Sequence, residues 1–193
     1  LWTDPGYAIK YAEVIKDKLS EIDSKNASYY AENYAVFKKQ AAELGAAVAK
    51  DQQSVPAGNL KMLTYHDAYA YFAKSYGWTV IGALQAGDFG DPAPSEIVRL
   101  IEQIKRENVT TIFGSEVFPS DVLKEIGRAT GARYESSLRD DDLPGKPGDA
   151  EHSWFGLMRY NYRTMILGLG GSPTQIDALT IPPVATNSAK FPQ

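Results

Sequence analysis

From Val55-Pro56-Ala57-Gly58-Asn59 onward the chain alternates short apolar runs with longer amphipathic segments, and this alternation limits the fold more than any other feature. The runs Leu60–Tyr65, Trp78–Leu84, Val109–Ser115 and Ala132–Leu138 have the length and the β-branched or aromatic content of strands. Between and after them, Asp67–Tyr76, Pro94–Asn108, Pro119–Thr130 and His152–Leu169 place apolar residues at helical spacing. The order βαβαβαβα predicts an α/β fold, a four-stranded and mainly parallel sheet flanked by helices, because parallel neighbours need a crossover long enough to hold a helix. Sheets of this kind bind ligands just beyond the carboxyl ends of their strands.

The first quarter reads differently. Asp4-Pro5 is a helix start, with Asp positioned to cap free N–H groups and Pro tolerated at the first helical position. Tyr7, Tyr11, Val14, Ile15, Leu19 and Ile22 then recur at three- and four-residue spacing, predicting a helix to about Asp23. A second helix is expected from Asn26 to Asp51, with Tyr30, Tyr34, Phe37, Ala41, Leu44 and Val48 on one side. The organisation that results is a pair of long helices over 1–54, an α/β lobe over 55–171, and an extended tail over 172–193. Asp149 is expected to cap the last long helix, with His152 in its first turn.

Several function classes are disfavoured at once. A net charge of −4 with a pI near 5.2 and no linear basic patch argues against a nucleic-acid binder. The chain has no cysteine, which removes disulfides, thiolate metal sites and cysteine nucleophiles. There is no phosphate loop of the GxGxxG or GxxxxGKT kind, and neither GxSxG nor HExxH occurs. The chain opens Leu1-Trp2-Thr3-Asp4-Pro5 without an initiator Met or an apolar leader, so a fragment or a processed chain is expected.

Three polar clusters fall at the predicted carboxyl edge: His66 at the end of the first strand, Glu116 just past the third, and Asp140, Asp141 and Asp142 just past the fourth. An imidazole with nearby carboxylates suits a divalent cation such as zinc or manganese. Adjacent carboxylates repel one another unless a cation or an arginine relieves them. The alternative is that His66 caps the following helix and the three aspartates form a solvated loop.

With those residues in view, the chain resembles the metal-specific solute-binding proteins of bacterial ABC importers, the zinc and manganese receptors. The resemblance rests on Leu1-Trp2-Thr3-Asp4-Pro5, on LTYHDAYAYFAKSYGW from Leu63 to Trp78, on Pro94-Ser95-Glu96-Ile97 followed by Ile112-Phe113-Gly114-Ser115-Glu116, and on Gly156-Leu157-Met158-Arg159-Tyr160-Asn161. It implies a non-enzymatic receptor outside the cytoplasmic membrane, periplasmic or lipid-anchored, monomeric, delivering Zn(II) or alternatively Mn(II) to a membrane permease. It implies metal held between two lobes joined by a long helix, with His66 as third ligand, Asp140 as fourth with Asp141 next, and Glu116 orienting or neutralising a ligand. The family's second ligand is a His directly before a Leu-Trp segment, and its first belongs to the other lobe. This chain therefore carries about half of a site, and by itself is expected to bind metal weakly.

Two other classes stand beside that reading. A surface adhesin could keep the fold and use the tyrosines Tyr7, Tyr11, Tyr29, Tyr30 and Tyr34 as a partner face, although aromatic stripes at helical spacing more often form core. A metallohydrolase would need an open coordination position and a general base, and no motif supplies either.

Overall fold

The computed structural model describes residues 1–85, 93–115, 120–139 and 142–181. The expected α/β architecture is present. Strands β1 (Lys61–His66), β2 (Thr79–Gln85), β3 (Thr111–Ser115) and β4 (Arg133–Leu138) form one sheet in the order β2-β1-β3-β4, and every pair is parallel. Helices α1 (Pro5–Ile22) and α2 (Ala27–Asp51) precede the sheet, α3 (Ala70–Tyr76), α4 (Pro94–Glu107) and α5 (Asp121–Thr130) link its strands, and α6 (Trp154–Gly168) and α7 (Thr174–Asp177) follow it.

Successive strand residues face opposite ways, so the central strands β1 and β3 feed two cores. Met62 and Phe113 pack with Leu44 and Val48 of α2, Phe72 of α3, and Met158, Tyr162 and Met165 of α6. Their neighbours Leu63 and Ile112 pack on the other face with Ile104 of α4 and Leu123 and Ile126 of α5. The aromatic centre of the first face is tight, with Phe72 stacked on Tyr162 at 4.9 Å between ring centroids. Helix α6 lies so close to the sheet that a Cβ on Gly168 would sit 2.8 Å from the Phe113 ring.

Local signals set most helix ends. Asp4 accepts from the Tyr7 N–H at 2.8 Å at the start of α1, and Ser120 accepts from the Leu123 N–H at 3.2 Å at the start of α5. The Glu96 carboxylate reaches back to the Ala93 N–H at 2.8 Å, closing the first turn of α4. Gly77 ends α3 in the left-handed region (φ 73°), where a side chain would be strained.

Three expectations need correction. Helix α3 starts at Ala70, not Asp67: the Ala68 N–H bonds the His66 carbonyl at 3.0 Å, and this turn lets the Tyr69 ring enter the core. Helix α6 starts at Trp154, and its cap is Ser153, whose hydroxyl accepts from the Gly156 N–H at 3.0 Å; Asp149 instead accepts from the Lys146 N–H. The segment after Gly171 is not extended throughout, because Thr174–Asp177 forms α7 against α2 and α6. The buried Asp51 carboxylate, at the end of α2, accepts from the N–H groups of Gln175 and Ile176 at 2.9 and 2.8 Å, holding the first turn of α7.

Helices α1 and α2 pack along each other, yet only Pro5 and Ala8 of α1 are buried, and the buried residues of α2 all fall between Ala41 and Asp51. The rest of the pair leaves Tyr11, Val14, Ile15, Ile22, Tyr29 and Val36 exposed. At its corner, hydrogen bonds from Asn26 and Tyr30 hold the Asp23 carboxyl below the usual carboxylate range. The lowered pKa means that these bonds contribute fully above the unfolded carboxyl pKa and that the contribution fades as pH falls through the folded one.

Replacing Asp51 with Ala removes two charge-assisted bonds and leaves two N–H groups without them. Urea denaturation is expected to show a loss of about 1.5–3 kcal/mol, and hydrogen exchange at Ile176 should accelerate before the rest of the fold opens.

Candidate metal centre at the sheet reversal

From β1 the chain moves outward to β2, then crosses back past β1 to β3 and on to β4. The connecting helices change faces with that reversal: Phe72 of α3 lies in one core, Ile104 of α4 and Leu123 of α5 in the other. In sheets wound this way ligands bind where the connections diverge, beyond the carboxyl ends of the two central strands. Those strands are β1 and β3, and their last residues are His66 and Ser115.

His66 is partly buried, with its ring edge-on to Tyr65 at 4.7 Å between centroids. It does not cap α3, whose N-cap is Tyr69 and has no side-chain cap bond. Its carbonyl is held from two sides, by the Ala68 N–H at 3.0 Å and by the Thr64 hydroxyl at 2.6 Å. Both bonds meet one carbonyl oxygen, so they fix the backbone on the carboxyl side of the His66 Cα.

Helix α6 ties the neighbouring segments together. The Tyr162 hydroxyl donates to the Thr3 carbonyl at 2.6 Å, and the Thr3 hydroxyl donates to the Ala68 carbonyl at 2.6 Å. The Trp154 indole N–H donates to the Trp2 carbonyl at 3.0 Å. Residues 1–4 are in this way anchored beside the loop that follows His66, and Thr3 and Asp4 are almost fully buried. Burial pushes the Tyr162 hydroxyl well above the usual phenol range, so it remains a donor across the working pH range. Asn161, also buried, accepts from the Arg139 N–H at 3.0 Å and donates to the Arg139 carbonyl at 2.7 Å and to the Tyr69 hydroxyl at 3.1 Å. The Arg139 guanidinium lies over the Tyr160 ring at 5.3 Å.

Of the residues expected at the site, His66 stands at the carboxyl end of β1, whereas Glu116, Asp140 and Asp141 lie outside the described residues. Asp142 is exposed in the loop after β4. His152 is not in α6; it precedes the helix, with Nδ1 3.1 Å from the Pro144 carbonyl. Among the described residues no three His, Asp or Glu side chains converge to hold a metal. Sequence reading assigned no role to Thr3, Tyr69, Ser153, Asn161 or Tyr162. Asn161 did carry a signal: an amide within the strongly apolar Trp154–Gly168, spaced with Met158, Tyr162 and Met165, falls on the buried face and must be hydrogen-bonded there.

The family model for the periplasmic component A of zinc-uptake complexes matches residues 1–167, most of the chain. The chain belongs to this family. It is similar to the manganese-binding lipoprotein MntA of Halalkalibacterium halodurans, 23% identical over 168 residues, 87% of this chain and 56% of that protein. It is similar also to the metal ABC transporter substrate-binding lipoprotein SloC of Streptococcus mutans, 24% identical over 87% of this chain and 55% of the relative. Among solved structures, the periplasmic zinc-binding protein TroA of Treponema pallidum superposes with a TM-score of 0.75 at 20% identity, covering 88% of this chain and 62% of that one. A mutant of the laminin-binding adhesin Lmb of Streptococcus agalactiae superposes at 0.76 with 24% identity, covering 87% and 61%. The chain spans little more than half the length of these curated relatives.

Replacing Tyr162 with Phe leaves the buried Thr3 carbonyl without its hydroxyl donor. A loss of about 1–3 kcal/mol is expected in thermal or urea unfolding, with faster hydrogen exchange confined to residues 1–8 and the Ala68 turn.

Proposed function

We propose that this chain forms the connecting helices and one lobe of an extracytoplasmic receptor that captures a divalent transition-metal ion and delivers it to an ABC permease. The observation that carries the reading is the position of His66, at the reversal point of a sheet whose chain matches the zinc-uptake family over 1–167. The receptor is not an enzyme, acts as a monomer, works in the periplasm or on a lipid anchor, and has no nucleic-acid partner.

In this reading His66 gives a neutral nitrogen donor and Asp140 a carboxylate oxygen, with Asp141 as the alternative and Glu116 orienting the set. The remaining ligands come from the receptor's other lobe. Thr3 and Trp2, bonded to Ala68 and Trp154, bring the start of this chain to the same edge. The exposed apolar face of α1 and α2, including Ile15, Ile22 and Tyr29, offers a seat for a preceding lobe. Metal closes the cleft by binding the closed form more tightly than the open one, and the closed form is what the permease selects. An imidazole donor favours Zn(II) over Mn(II), because zinc takes nitrogen more readily than the oxygen-preferring manganese.

A second reading, an adhesin, is favoured by that same exposed face, where Tyr11 and Tyr29 stand in solvent, and by the likeness to Lmb. Competitive zinc and manganese titration of the full-length protein, beside His66→Ala and Asp140→Ala, separates the two. The receptor reading expects tight zinc binding that both substitutions abolish. Unchanged affinity in both variants would sink it, and retained binding to a protein partner would then favour the adhesin.

A further inference from the structure

The last ladder contact between β3 and β4 is Ser115 with Leu138, and β4 is an edge strand. Arg139, the next residue, has gone past that ladder. Its N–H and its carbonyl are both met by the side chain of Asn161, at 3.0 and 2.7 Å. A primary amide is suited to this task because it presents one acceptor and two donors in a single plane, and so mimics the peptide of a neighbouring strand. The second amide proton reaches the Tyr69 hydroxyl at 3.1 Å. Tyr69 closes the turn after His66, and its own carbonyl accepts from the Ala73 N–H at 2.8 Å, fixing the start of α3. Asn161 and Tyr69 are both nearly inaccessible to water.

We infer that Asn161 is a positioning residue that sets the exit of β4 and the exit of β1 at one fixed separation through Arg139 and Tyr69. Residue 140 follows Arg139 directly, and His66 lies on the other side of the link. In the receptor reading, on which this inference rests, the amide fixes the two strand exits, at Arg139 and at the turn after His66, before metal arrives. A preset spacing lowers the ordering required on binding and selects the coordination geometry.

The test uses the full-length protein, its Asn161→Ala and Tyr69→Phe variants, and Co(II) as a probe whose visible absorption reports ligand geometry. Zinc competition against Co(II) gives affinity, and unfolding of the metal-free forms gives stability. Asn161→Ala is expected to lower metal affinity about 10–100-fold and Tyr69→Phe about 10-fold, each with altered Co(II) bands. Tyr69→Phe keeps the buried ring and removes one hydroxyl, so it guards against a variant that merely misfolds. Unchanged affinity and unchanged Co(II) bands in folded Tyr69→Phe would overturn the link to the His66 turn. Unchanged values in both variants, or lost stability with a normal metal spectrum, would overturn the positioning role altogether. An unsubstituted protein that binds neither metal would remove the receptor reading and this inference with it.

Discussion

A parallel sheet of four strands must be covered on both faces, and this requirement organises the rest of the chain. The central strands β1 and β3 carry apolar residues on alternate sides, Met62 against Leu63 and Phe113 against Ile112. One layer of helices would leave one of those sets in water, at about 25 cal/mol for each Å² of apolar surface. The chain meets the requirement by winding α3 on one side of the sheet, then reversing and winding α4 and α5 on the other. The divergence of the connections at the ends of β1 and β3 is a by-product of that reversal. The place where a ligand can bind follows from burying two apolar faces with a single chain.

Helix α6 turns this general geometry into a particular site. It fills one core with Met158, Tyr162 and Met165, and Gly168 lets it sit directly on Phe113. The same helix sends Tyr162 to Thr3 and Asn161 to Arg139 and Tyr69. Packing and polar anchoring share one surface, so the ends of three separate segments are located by a single rigid element. A buried amide or phenol without partners would be costly, and such networks hold their geometry because every member is bonded.

The strands and helices of the lobe could be read from periodicity, since burial on two faces leaves its mark on every run of residues. Boundaries could be read where a side chain bonds its own helix, as at Asp4, and misread where it does not. Asp67 reads as a helix start and Asp149 as a cap, yet the turns of Ala68 and of Lys146 claim the local hydrogen bonds, and Tyr69 and Ser153 stand at the true starts. Helix α7 gave no periodic signal because four residues are too few to show one. It is held by Asp51, more than a hundred positions earlier, through bonds to Gln175 and Ile176. The tyrosine stripe of α1 and α2 has a helical period, as expected, but Tyr11 and Tyr29 lie in solvent within these residues.

By itself the sequence determined the α/β class and put His66 at the carboxyl end of the first strand, because the alternation of apolar runs with amphipathic segments is a local and cumulative property. Only the tertiary structure decided the strand order β2-β1-β3-β4 that puts β1 beside β3, and the amide of Asn161 as the piece joining two strand exits. Those depend on contacts between residues far apart in the chain, such as Tyr69 with Asn161 and Thr3 with Tyr162. No short window of sequence records such contacts, since each partner looks ordinary among its own neighbours and acquires its role only when the core brings the other to it.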